Sequence, residues 1–423
     1  MRILWIVHDV FECFLPYVKG NPTKGGSWIA PLFYGIKDYP EVVLGSIVPI
    51  IGGEAQKKEI GGVTYYSIEI KKGENSKDMS DDLASRYLWA INDFKPDIIH
   101  VHGTEKNFGL IRKYLAPAIP VVCSIQGIII PYYDSLKFSV ADIHIGRYKS
   151  LKNWFGRGGI GFNLRKWKHY KMIEQEIYRI NSYFIGRTTW DKAHLDSLNP
   201  NAIYFHGEEL LRDEFYTQKW DIDTCERHRI FISSAAYPVK GFHVLLKAAA
   251  ILKEEYPHIK IVSPLARLNM NSSPLEDALF NEDYDNYLKS LIHRWGLENN
   301  IEFKKRLSAT EMAIEYKKAH VFALPSFIEN SPNSLGESMM IGVPSVASFV
   351  GGVADIVRDN ESSLLFPPGD YAVLAYQIKR IFSDDALALK LSSEARIIAQ
   401  RRHNVIQSTQ QYMKIYSQIT AQL

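Results

Sequence analysis

The sequence predicts an α/β protein made of two successive halves, each a parallel sheet wound on both faces by helices. Three observations carry this. Short apolar runs of strand length alternate with helical stretches from residue 2 to residue 419. The alternation breaks in a polar stretch around Gly207 to Cys225 and restarts at Arg229. Strand runs repeatedly end in glycine or in residues that open a helix, as parallel crossovers require.

Composition sets the bounds. With 423 residues, 46% hydrophobic and 23% charged, the chain can bury ample core and has room for two or three domains. The run Met1 to Asp9 is too short for a secretion signal, and no stretch approaches the ~18 apolar residues of a membrane span, so a cytoplasmic protein is expected. Cys13, Cys123 and Cys225 lack metal-ligand spacing and fit reduced thiols.

Residues 2–8 read as a buried first strand. After them the glycine pair Gly25-Gly26 precedes an apolar helix, where a bare backbone can approach a ligand, though a surface loop has the same look. Strand runs follow at 42–48 and 63–70, then a helix ending near Phe94. The turn Lys95-Pro96-Asp97 feeds a strand whose carboxyl end presents His102 and Thr104, the edge where doubly wound sheets bind ligands. A further strand spans 120–125, and another at 183–186 ends before Arg187, which lands at the same edge. A last strand of the first half is read at 201–205.

Residues 146–180 stand apart. They hold nine Lys or Arg against two Glu, a net +7 in a chain of net +3, with seven aromatics interleaved. Such a mixture suits an anionic membrane surface or a lipid phosphate. The helical stripe Leu164, Trp167, Ile173, Ile177 and Ile180 fits equally a helix packed on protein beneath a solvated charged face. No nucleic-acid recognition module is present.

In the second half a strand at 229–234 leads to Lys240-Gly241 just before a helix, placing an ammonium beside a helix start. Strands at 259–262, 301–303 and 321–324 alternate with helices. The stretch from Val321 to Pro344 is the richest. An apolar run ends at Pro325, a polar loop follows, and Ser331 as N-cap with Pro332 in the first turn opens a helix. Unpaired amides at that helix start suit a phosphate, and two carboxylates, Glu329 and Glu337, flank them. A second glycine pair, Gly351-Gly352, precedes Asp355, and helical sequence from Tyr371 closes the chain.

Taken together these motifs resemble the GT-B glycosyltransferases, and more narrowly the retaining glycosyltransferase family 4, or glycosyl transferases group 1. The likeness rests on the two alternating halves, the first Gly-Gly loop, Lys240-Gly241, the Glu329-x7-Glu337 spacing, Gly342-Val343-Pro344 and Gly351-Gly352 in order. It implies two Rossmann-like doubly wound domains facing a central cleft. Residues 1–215 would form the acceptor-side domain, with helix 404–423 packing back on it, and residues 216–403 the nucleotide-sugar donor domain.

The resemblance also assigns roles. Glu329 would touch the hydroxyls of the transferred sugar and Glu337 the ribose. The amides of Ser334 and Leu335, with Asn333 beside them, would cap the diphosphate, and Lys240 would balance the leaving charge. Gly26 would lie against the donor phosphates. Gly25, His102, Thr104 and Arg187 would serve the acceptor side, His102 matching a cleft histidine of several relatives. Glu329, Lys240 and His102 form the expected catalytic set. No metal or other cofactor is implied, and no acidic triplet is present to hold one.

One departure is plain: the family commonly has an arginine six residues before the lysine, where this chain has Ser234. Arg187, Lys304, Lys305 and Arg306 are the candidates to replace it, Arg306 foremost. The expected activity is that of a metal-independent retaining hexosyltransferase. It moves a sugar from a nucleotide-diphosphate sugar to a saccharide or polyprenyl-diphosphate-linked acceptor in surface polysaccharide or glycolipid synthesis. The protein would be cytoplasmic, with peripheral contact at the inner membrane face through 146–180. A non-catalytic GT-B scaffold and a nucleotide-sugar epimerase are the alternatives.

Overall fold

The computed structural model describes residues 1–22, 29–141, 143–264 and 268–421. The chain forms two compact units: Met1–Ile130 with Lys168–Arg212 and His403–Leu423, and Pro131–Trp167 with Asp213–Arg402.

The first unit holds β1 (Arg2–Ile6), β2 (Val43–Ile51), β3 (Gln56–Ile60), β4 (Val63–Ile70), β5 (Ile98–His102), β6 (Val121–Ser124), β7 (Tyr183–Gly186) and β8 (Ile203–His206). They lie in the order β3-β4-β2-β1-β5-β6-β7-β8, parallel except for the antiparallel pair β3 and β4. Strand β3 is not legible in the sequence, because Gln-Lys-Lys-Glu-Ile carries no apolar alternation. It is made a strand by its turn: Gly61 and Gly62 both take positive φ, 56° and 81°, the requirement of a two-residue primed hairpin. Its charge also suits an exposed sheet edge.

Strand β1 is buried on both faces. Leu4 and Ile6 join one core with Ile99, Val101, Leu83 and Tyr87, while Ile3, Trp5 and Val7 join the other with Phe33, Ile98 and Val122. That second core is closed by the last helix, Val405–Thr420, through Tyr412, Ile415, Tyr416 and Ile419. Burying each such side chain contributes about 1.5–3 kcal/mol, so the four together are comparable with the roughly 5–15 kcal/mol stability of a whole domain. Polar groups set the position of this helix. Trp5 Nε1 donates to the Tyr416 hydroxyl at 3.2 Å, and His100 bridges that hydroxyl at 2.6 Å and Ser124 Oγ at 2.7 Å.

The second unit holds β9 (Arg229–Phe231), β10 (Lys260–Ser263), β11 (Ile301–Phe303), β12 (Val321–Leu324), β13 (Ser345–Ser348) and β14 (Leu364–Phe366), all parallel, in the order β11-β10-β9-β12-β13-β14. The order reverses between β9 and β12, so the crevice outside their carboxyl ends is the expected ligand site.

Residues 131–167, which the sequence places in a first domain ending at 215, group instead with the second unit. The cause is a set of polar ties. Lys152 pairs with Glu282 at 2.6 Å, and Glu282 also accepts the Gly159 amide. Asp283 receives the amide of Ile160 at 3.0 Å, and Asn286 donates to the Tyr148 carbonyl at 3.0 Å. Glu282 and Asp283 thus cap the start of the long helix Gly159–Ile180, where negative charge is favoured. Nothing in sequence adjacency signals contacts between residues more than a hundred positions apart.

Candidate active site

The chain folds tightly just past β12. Pro325 ends the strand, and Ser326 Oγ donates to Glu329 Oε1 at 2.7 Å. Lys240, at the end of the 3-10 turn Pro238–Lys240 that follows β9, donates from Nζ to the same oxygen at 2.6 Å. The backbone fixes both partners: the Phe327 amide bonds to the Val239 carbonyl at 2.8 Å and the Gly352 amide to the Glu329 carbonyl at 3.1 Å.

Two glycines make this convergence possible. Gly241 has φ 68°, and a Cβ there would lie 1.8 Å from the Pro325 carbonyl oxygen; Gly351 has φ 51°, and its Cβ would lie 1.8 Å from that of Glu329. Three strand exits therefore meet backbone to backbone at the switch point. The Glu329 side chain is left 9% exposed and that of Lys240 27%.

Glu337 sits in the helix Asn333–Ile341 and is buried. The Tyr316 hydroxyl holds its Oε2 at 3.2 Å and lies 2.9 Å from the Ser334 carbonyl. Tyr316 was not singled out from sequence; in an amphipathic helix it reads as core. The helix start also departs from expectation. Pro332, not Ser331, is the N-cap, no side chain caps it, and the Ser331 hydroxyl instead receives Arg402 Nη2 at 3.2 Å. Of the two amides expected to cap a diphosphate, that of Leu335 bonds to the Pro332 carbonyl at 3.0 Å. Asn333 and Ser334 stand in the first turn of that helix.

Tyr132 is a second residue that the sequence did not point to. Its ring lies against Trp167 at a tilt of 52°, with ring centroids 4.2 Å apart. Burial, and then the negative charge of Glu329, push its hydroxyl upward in pKa.

The cations proposed to stand in for the arginine absent at Ser234 are distributed unevenly. Lys304 is engaged with Glu315 at 2.6 Å and Glu302 at 3.3 Å. Arg187 is buried in the first unit, ion-paired with Glu209 and donating to the Gln126 carbonyl at 2.9 Å, so it is a structural cation and not an edge residue reaching a ligand. Lys305 and Arg306 lie exposed in the loop after β11. Asp355 is exposed on the short helix Val353–Ile356.

In the first unit His102 ends β5 at that sheet's own switch point. Its ring lies 4.0 Å from Trp5 and 3.8 Å from His100. Burial, with His100 second, holds its pKa well below the ordinary imidazole value, so the ring is neutral, and its Nε2 is buried without a hydrogen-bond partner. Thr104 is not at hand for a ligand: it is buried and donates to Glu174 at 2.9 Å. Glu174 also accepts the Ile130 amide at 3.0 Å, and burial raises its pKa to about 8. Gly25 and Gly26 lie outside the described residues. A cavity of about 510 Å³ lined by Met1, Pro96, Asp97, Ser417 and Thr420 opens at the amino edge of this sheet, opposite the edge of His102.

The fold is that of the GT-B glycosyltransferases. Sucrose-phosphate synthase of Thermosynechococcus elongatus superposes with a TM-score of 0.71 at 16% identity over 100% of each chain. HepE of Anabaena, solved with UDP-glucose, superposes at 0.64 and 18% identity over 99% of this chain and 100% of its own. Residues 214–398 match the family described as Glycosyl transferases group 1, so the second unit carries a domain of that family. Among curated relatives, a D-inositol 3-phosphate glycosyltransferase of Streptomyces bingchenggensis is 31% identical over 166 residues, 39% of this chain and 35% of that protein. One of Corynebacterium urealyticum is 30% identical over 157 residues, 37% of this chain and 35% of its own length. The matched stretch thus spans about a third of these relatives.

Proposed function

We propose that the protein is a retaining, metal-independent glycosyltransferase of family 4, moving a hexose from a nucleotide-diphosphate sugar to a saccharide or lipid-linked saccharide. The observation that carries this is the Lys240–Glu329 contact at a switch point, with Glu337 eight positions on, inside the group 1 match. In this reading Glu329 orients the sugar hydroxyls and Glu337 the ribose. As the bond to the leaving diphosphate breaks, Lys240 and the helix start at Asn333 take up the developing charge, the work a metal ion would otherwise do. The acceptor hydroxyl attacks from the side the diphosphate leaves, through an oxocarbenium-like state. The buried Nε2 of His102 serves the acceptor side.

The related proteins support the donor class: HepE was solved with UDP-glucose, and the curated relatives are named for glycosyl transfer. The basic, aromatic segment 146–180 supports an acceptor carried on polyprenyl diphosphate, met by a peripheral protein at the inner membrane face. No helix among the described residues is long and apolar enough to cross a membrane.

A second reading, a scaffold that binds sugar nucleotide without turnover, draws on Ser234 and on the engagement of Arg187 and Lys304 by carboxylates. Incubating the protein with UDP-, GDP- and ADP-sugars and a membrane lipid extract separates the two. Transfer or slow donor hydrolysis supports the enzyme. Donor binding with neither supports the scaffold, and interconversion of free nucleotide sugars would mean an epimerase.

A further inference from the structure

Two segments far apart in sequence meet on the surface of the second unit and leave large apolar side chains in solvent. The helix Leu151–Trp154 packs against the helix Pro274–Phe280. Trp154 is 73% and Phe155 76% exposed on the first segment; Leu275 is 69% and Phe280 67% exposed on the second. Neither short helix is loose. Lys289, itself buried, grips Asp277 at 2.5 Å and Ser272 Oγ at 2.8 Å, holding the second helix from behind, while Lys152 and Glu282 tie the first to the start of the next helix. A rigid backing under exposed Trp, Phe and Leu is the form of an interfacial insertion surface.

The charge around the patch selects its occupant. Arg147, Lys149, Arg157 and Arg165 are exposed beside it, Lys149 lying 5.7 Å over the Trp154 ring. The nearby carboxylates are engaged: Glu276 with the Ser273 amide at 2.8 Å, Asp277 with Lys289, Glu282 with Lys152, and Asp283 with the Ile160 amide. Of these four carboxylates only Glu276 is exposed, and the four exposed cations outnumber it around the apolar side chains.

We propose that this composite surface, formed by Trp154 and Phe155 with Leu275 and Phe280, docks the second unit onto the headgroup layer of an anionic lipid bilayer. The proposal narrows the membrane contact of the preceding reading to a defined face and adds residues 274–280, which lie outside the basic segment. It rests on that reading for its use in reaching a lipid-linked acceptor.

Co-sedimentation of the full chain with phosphatidylcholine vesicles carrying about one-third phosphatidylglycerol, against pure phosphatidylcholine, tests it. Binding is expected to the anionic vesicles and to fall at least about tenfold on the neutral ones, and by a similar factor in each of the pairs Trp154→Ala/Phe155→Ala and Leu275→Ser/Phe280→Ser. Unchanged melting shows that the variants are folded. Absent binding, equal binding to both vesicles, or wild-type binding by the Leu275/Phe280 pair overturns the proposal. A concentration-dependent dimer dissolved by the same substitutions overturns it too, since a second copy would then cover the patch. Donor binding measured without vesicles separates the two readings. Intact donor binding with no vesicle binding counts against this inference alone, and the reverse counts against the transferase reading alone.

Discussion

Lys240 Nζ and Glu329 Oε1 lie 2.6 Å apart, an ammonium and a carboxylate delivered by the exits of β9 and β12. The same oxygen takes the Ser326 hydroxyl. The ammonium and the carboxylate therefore neutralise one another; in the proposed reading Lys240 turns to the leaving diphosphate and Glu329 to the sugar hydroxyls.

Removing that ammonium separates catalysis from binding. Lys240→Ala is expected to lower kcat by about 10²–10³, with a smaller change in donor affinity, because the charge it balances develops as the bond breaks. Steady-state transfer kinetics beside donor titration measure the split. An equal loss in both would make Lys240 a ground-state contact.

Tyr316 holds Glu337 from inside the fold. Tyr316→Phe removes a donor to a buried carboxylate and is expected to cost about 1–3 kcal/mol by urea unfolding, with donor affinity falling alongside. Unchanged affinity in a destabilised protein would confine Tyr316 to a structural part.

Gly351→Ala tests the loop closure. Its positive φ alone costs about 1–3 kcal/mol in a residue with a side chain, and the 1.8 Å approach to the Glu329 carbonyl forces the loop aside. Lower stability together with weaker donor binding is expected. A crystal structure of the variant with the Glu329 loop unmoved would contradict the closure.

Burial raises the Glu174 carboxyl to about 8, above its unfolded value, so the folded state retains a proton that the unfolded state releases. That stability is fully present below the unfolded pKa and is lost as pH rises through the folded one. Burial depresses His100 and His243 to about 3 each, which acts oppositely but only below the unfolded imidazole value near 6.5. Between pH 7 and 8 the unfolding free energy is therefore expected to fall by up to about 1 kcal/mol, and Glu174→Gln to flatten the slope. Unfolding curves at the two pH values measure this.

The legible parts of this molecule are those written in local chemistry. The alternation that gives two parallel sheets, the Lys240-Gly241 turn and the Glu329 loop each depend on a few adjacent residues, and the sequence places them on the right strand exits. The illegible parts depend on contacts between distant positions. Tyr316 looks like a core aromatic until the fold brings its hydroxyl to Glu337. Arg187 and Thr104 sit at a strand edge by sequence, yet Glu209 and Glu174, contributed from elsewhere, draw them into the interior. Residues 131–167 change unit because Glu282, Asp283 and Asn286 capture them. The polar edge strand β3 is made by its glycine turn and not by apolar periodicity.

The central claim is that the stretch from Glu329 to Glu337 holds a nucleotide-diphosphate sugar, and calorimetric titration of wild type and Glu337→Ala with UDP-, GDP- and ADP-sugars tests it most directly. Saturable binding of one donor class, weakened at least about a hundredfold in the variant, is the predicted result. Wild-type affinity in Glu337→Ala, or no donor bound by either protein, would contradict it.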